Sequence, residues 1–156
     1  MNNNNLTTAK PNETKKGNSF SYSFQTSQSP DNVFKTLLDV RSWWVGLFGE
    51  TIKGYSKQLN DEFTFAAGNG AHFTRQKLIM LEPDKSITWL VTESNLNFAK
   101  KTDEWTDTKI RFDISKESGK TNVLFTHEGL VPKFECYDGC AGAWTQYLEN
   151  LKMHLN

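Results

Sequence analysis

No stretch of this 156-residue chain is apolar for long enough to span a bilayer or to form the centre of a signal peptide. The protein is therefore expected in the cytoplasm and away from membranes. An excess of charge is missing too: Lys plus Arg and Asp plus Glu number eighteen each. With no basic block, the electrostatic footprint that nucleic-acid binding requires is absent. Cysteine is scarce, with only Cys136 and Cys140, which read as free thiols in a reducing compartment. The chain is long enough to bury one core without disulfides or metals. No internal repeat is visible. A monomer without a cofactor is expected.

Aromatic residues are plentiful, with eleven Phe and five Trp. Such rings on strands fill a core or line an apolar pocket. Residues 1–18 are polar, contain Pro11 and Gly17, and read as a disordered tail before a domain over 19–156. Phe20, Tyr22 and Phe24 alternate with polar residues, as in a half-buried strand. Ser29-Pro30 then caps a short helix whose apolar face is Val33, Phe34, Leu37 and Leu38. A second short helix is expected over Val40 to Phe48, limited by Gly46 and Gly49.

Strand patterns follow at Thr51–Tyr55, Glu62–Ala67, His72–Leu81 and Ser86–Glu93, then at Thr106–Ser115 and Thr121–Gly129. Their turns are short, with Pro83 in one and Gly119 in another, so the strands should form an antiparallel meander. Ser94 to Glu104 is expected as a longer loop bordering a site. From Glu135 to Asn156 the apolar residues Tyr137, Ala141, Trp144, Leu148, Leu151 and Leu155 recur at helical spacing. One long amphipathic helix after a run of strands is suited to cover the sheet's apolar face. The fold class is α+β: about seven antiparallel strands wrapped around a long C-terminal helix, with two short helices after the first strand.

Three segments carry a family resemblance. They are Val33 to Trp44; Leu81-Glu82-Pro83-Asp84-Lys85 with Ile87-Thr88-Trp89; and His127-Glu128-Gly129-Leu130 with Cys136 to Cys140, Trp144 and Leu151-Lys152. In this order they resemble the START-like (SRPBCC) superfamily, the helix-grip fold of the birch pollen allergen. Within it they are most similar to the family of heat-shock protein 90 ATPase activator homologues. The resemblance spans about residues 20 to 155 and implies the helix-grip fold. It implies a role less narrowly, because the superfamily hosts lipid carriers, cyclases and co-chaperones.

The expected function is binding of a small apolar or amphipathic ligand between sheet and helix. Candidate wall residues are Trp43, Trp44, Phe63, Phe65, Phe73 and Trp89, with Phe98, Phe112, Phe125, Trp144 and Leu148. Most of so many rings must be core. His127 shares a face with Val123 and Phe125 and could meet a ligand's polar end, with Glu135 or Tyr137 nearby. The more usual arrangement for such a residue is a core histidine bonded to a backbone carbonyl or to Glu135. Cys136 and Cys140 lie on one helix face near its start, where a thiol gains acidity, so Cys140 joins the candidates. No oxyanion-forming loop accompanies them, and their spacing to His72 and His154 does not suit zinc. No catalytic or metal residue is therefore assigned. The alternatives are a module stimulating a heat-shock chaperone's ATPase, which the resemblance implies, and a cyclase- or hydrolase-like enzyme using His127.

Overall fold

The computed structural model describes residues 19–156. The expected tail over 1–18 lies outside the described residues. Seven strands form one antiparallel sheet: β1 (Phe20–Thr26), β2 (Thr51–Gly54), β3 (Glu62–Ala67), β4 (His72–Glu82), β5 (Ser86–Leu96), β6 (Lys109–Glu117) and β7 (Lys120–Glu128). Their spatial order is β1-β7-β6-β5-β4-β3-β2. Sequential strands are neighbours from β2 to β7, and β1 closes the far side on β7. Helices α1 (Pro30–Leu38) and α2 (Val40–Trp43) follow β1, and α3 (Tyr137–Leu155) ends the chain. This is the helix-grip arrangement.

Local chemistry accounts for the elements. Ser29 accepts a hydrogen bond from the Asn32 N–H, and Pro30 occupies the first turn, where its missing donor costs nothing. Alternation on β6 and β7 puts Ile110, Phe112 and Ile114 opposite His127, Phe125 and Val123, all facing inward and buried. Helix α3 lays Cys140, Trp144, Tyr147, Leu148, Leu151 and Leu155 on that face. The core is built from rings in edge and stacked contacts, such as Trp43 on Phe112 at 5.4 Å and Trp144 on Phe125 at 4.5 Å.

The largest departures from the sequence expectation are at the second helix and at the end of β5. The second helix ends at Trp43 instead of Phe48, because the backbone turns left-handed at Gly46 and Gly49 (φ +93° and +65°). Between them the Glu50 carboxylate collects the N–H groups of Gly46, Leu47 and Phe48. Strand β5 runs on to Leu96, since Ser94 and Leu96 still face inward and pair with Thr74 and His72 of β4. The connecting loop is therefore 97–108. It folds back along the end of β5 through Leu96 N–H to Thr102 O (2.8 Å) and Val91 N–H to Thr108 O (2.9 Å).

Candidate functional site

β6 pairs with β5 only as far as Leu90. Past that point the 97–108 loop stands in for the neighbouring strand and presses Trp105 inward, leaving the ring 2% exposed. The same loop is pinned to the start of α3: Lys100 N–H donates to Glu135 Oε1, and Glu135 N–H donates to Glu104 Oε2. Sheet and helix do not close on each other here. A cavity of about 420 Å³ remains, within the usual size range of small-molecule pockets.

Its wall comes from four places. Phe65, Ala67 and His72 project from β3 and β4; Trp44 and Phe48 come from the segment after α2. Phe98 and Trp105 belong to the loop, and Cys136, Gly139, Cys140, Ala143, Trp144 and Tyr147 belong to α3 and its cap. The tryptophans form a continuous aromatic surface: Trp44 stacks on Phe65 (4.3 Å) and Trp144 (5.0 Å), and Trp105 lies parallel to Trp144 (6.0 Å, 12°). Phe48 and Phe98, 47% and 56% exposed, stand where the cavity meets solvent.

Of the candidates from sequence, Trp44, Phe65, Phe98, Glu135, Cys140 and Trp144 line this cavity. Trp43, Phe63, Trp89, Phe112, Phe125 and Leu148 are buried in the core beside it. Phe73 and Tyr137 are half-buried and do not reach it. His127 is fully buried behind Trp105 and Trp144, with neither ring nitrogen free. The Trp144 N–H donates to Nδ1 (3.1 Å), so Nε2 carries the proton and donates to Thr108 Oγ1 (2.8 Å), whose hydroxyl donates to Trp105 O (2.6 Å). The partners are thus Thr108 and Trp144, neither a carbonyl nor Glu135. Burial, reinforced by the nearby His72, pushes the His127 pKa down to about 3.

Two residues absent from the sequence candidates add polar atoms to the cavity wall. His72 is held between Trp105 (4.7 Å) and Phe65 (5.5 Å), and burial lowers its pKa to about 4. Its Nε2 has no hydrogen-bond partner, nor has the Trp105 indole N–H. A signal for His72 was present in its alternation with Thr74, Gln76 and Leu78. Trp105 sits in a polar loop whose spacing carries none. The two thiols share the wall. A hydrogen bond from Cys140 holds the Cys136 thiol below its ordinary value despite burial. Accepting that role and being buried push Cys140 well up. The Trp105 N–H lies near enough to favour both thiolates, yet meets no acceptor in hydrogen-bonding geometry. Among the described residues no cluster of side chains is arranged to hold a metal ion, and no helix is long and apolar enough to cross a membrane.

An antiparallel sheet gripping a terminal helix around an aromatic cavity defines a START-like domain. The chain belongs to the family described as activator of Hsp90 ATPase homolog 1-like protein, whose model matches residues 27–156. Solved structures share the fold. The Aha1 dimer from Colwellia psychrerythraea is 21% identical with a TM-score of 0.69, covering 88% of this chain and 95% of that one. Protein Mll3558 from Rhizobium loti is 17% identical with a TM-score of 0.67, covering 88% and 96%. Ginseng major latex-like protein 151 from Panax ginseng is 9% identical with a TM-score of 0.61, also covering 88% and 96%. No curated protein matches the sequence.

Proposed function

We propose that this domain binds a small apolar or amphipathic molecule in the cavity between sheet and C-terminal helix. The observation that carries the reading is the cavity itself, about 420 Å³ and walled by Trp44, Phe65, Trp105 and Trp144. Unfilled space beside these rings forfeits dispersion contacts. The hydrogen bonds at Glu104 and Glu135 fix the loop against the start of α3. A ligand restores those contacts, with apolar burial contributing about 25 cal/mol per Å². Phe48 and Phe98 flank the route of access. His127 supports the wall and does not touch the ligand.

Native mass spectrometry of the protein purified from its own cells tests this directly. A stoichiometric small molecule that extracts into organic solvent is expected. A bare protein mass under conditions that retain added naphthalene-sized probes in a control lipid carrier would count against the reading.

A second reading rests on the family's description: a module that stimulates an Hsp90-type ATPase. Tyr55 and Leu59, 72% and 52% exposed around the β2–β3 turn, offer apolar contacts on the outer surface. Addition of the purified domain to such a chaperone should then raise its ATPase rate, and substitution of Tyr55 by Ser should reduce the effect.

A further inference from the structure

The cavity contains polar groups that an apolar guest alone would leave unpaired. The indole donors of Trp43, Trp89 and Trp144 are satisfied by Leu37 O, Ser56 Oγ and His127 Nδ1. Trp105 is as deeply buried as these, and its N–H, though near the Cys136 and Cys140 sulfurs, meets no acceptor in hydrogen-bonding geometry. His72, in edge contact with the Trp105 ring at 4.7 Å, likewise has an unpartnered buried Nε2. Buried polar groups are nearly always paired, so two orphans on touching rings that line one cavity mark a place for a ligand atom. The charges of the wall limit what that atom is. No Lys or Arg lines the cavity, and its one carboxylate is Glu135. Glu104, which accepts from the Glu135 N–H, keeps its other oxygen buried and unpaired nearby. An anionic ligand would lose its hydration and meet like charge with no counter-ion.

We infer that the ligand is an uncharged aromatic molecule whose carbonyl or hydroxyl oxygen is held by Trp105 and His72. This rests on the cavity-binding reading and assigns its polar end. The indole N–H donates to the oxygen. A carbonyl takes a second hydrogen bond from His72 when its Nε2 carries the proton, and a hydroxyl donates to Nε2 when it does not. Either way both orphans are satisfied by one atom. The flat guest then lies against the Trp44–Trp144 surface, where ring stacking rewards aromatic shape.

The test is a titration of the full chain with five probes sharing one ring system: naphthalene, 2-acetylnaphthalene, 2-naphthol, 2-naphthoate and 2-naphthylmethylammonium. It is followed through the indole N–H resonances of uniformly 15N-labelled protein. The acetyl and hydroxyl probes should bind about tenfold tighter than naphthalene, the gain expected from one buried hydrogen bond. They should move the Trp105 indole signal while leaving those of Trp43 and Trp89 in place. Naphthoate should bind at least about tenfold more weakly than the ketone. Trp105→Phe should lose the preference for the ketone, read as the ratio of ketone to naphthalene affinity in the same variant. His72→Phe should do the same to a smaller degree, and covers the case in which Trp105→Phe does not fold. Naphthoate or the ammonium probe binding as tightly as the ketone, or saturation without movement of the Trp105 signal, would overturn the inference and leave the cavity reading intact. If naphthalene itself and every derivative fail to bind, the cavity reading falls and the inference with it.

Discussion

The Tyr147 hydroxyl on α3 donates to the Glu50 carboxylate, joining the terminal helix to the segment before β2 across 97 residues of sequence. That carboxylate also caps the N–H groups of Gly46, Leu47 and Phe48, so one acid organises the turn that places Trp44 and Phe48 on the cavity. Burial opposes ionisation of Glu50, but the bonds from Tyr147 and the backbone prevail and hold its pKa below the ordinary value. Tyr147→Phe should therefore cost about 1.5–3 kcal/mol, the range for a hydrogen bond to a charged group. Urea unfolding measures the cost. Amide exchange at Leu47 and Phe48 should quicken in the same variant.

One fully buried and one partly buried histidine make the fold acid-sensitive. His127 and His72 are lowered to about 3 and about 4 in the folded protein, from an ordinary value of 6.5. Below 6.5 the unfolded chain binds protons that the folded one refuses. Their contribution is complete above that value and is lost as pH falls toward the folded pKa values. The slope approaches about 1.4 kcal/mol per pH unit for each histidine. Unfolding midpoints taken between about pH 7 and pH 5 should fall accordingly, while both imidazoles of the folded protein remain neutral by NMR.

Two glycines should respond in opposite directions. Gly54 has φ +108°, and a Cβ there would sit 2.4 Å from the Glu62 carbonyl oxygen. Gly54→Ala should destabilise by at least about 2 kcal/mol, because strain and a backbone clash coincide. Gly139 is helical, and a Cβ meets nothing within 4 Å. Gly139→Ala should stabilise by roughly 0.5–1 kcal/mol. Thermal unfolding of the two variants checks both signs.

The thiols should differ in reactivity. Cys136 is held toward its thiolate by Cys140, which is itself pushed well up. Iodoacetamide at neutral pH should label Cys136 first, as read by peptide mass mapping. Both thiols line the cavity, so a bound guest should slow the labelling.

Much of this architecture was legible in the chain. Ser29-Pro30 announced α1, alternation at Ile110, Phe112 and Ile114 announced β6, and the helical spacing of Trp144, Leu148, Leu151 and Leu155 announced α3. These signals are local, and period alone carries them. The cavity was less legible because its wall depends on what lies between elements. Phe125 and Trp144 face the same interior, yet only Trp144 meets open space, a distinction set by packing. His127 shared the face of the core and drew attention as its polar group, while its partners Thr108 and Trp144 lie 19 and 17 residues away. Trp105 was hidden by a polar loop whose folding back depends on long-range backbone pairing with Val91 and Leu96.

The most direct test of the binding claim is a fluorescence titration of the full chain and its Gly139→Leu variant with 1-aminoanthracene. Gly139 lines the cavity and a Cβ there meets nothing within 4 Å, so a leucine at this position is expected to occupy part of the guest's space. Saturable one-to-one binding to the unaltered chain, weakened at least about tenfold in a variant that unfolds at an equal or higher temperature, is the predicted result. Equal binding by both proteins, or no saturable binding by either, would contradict a cavity that holds a guest.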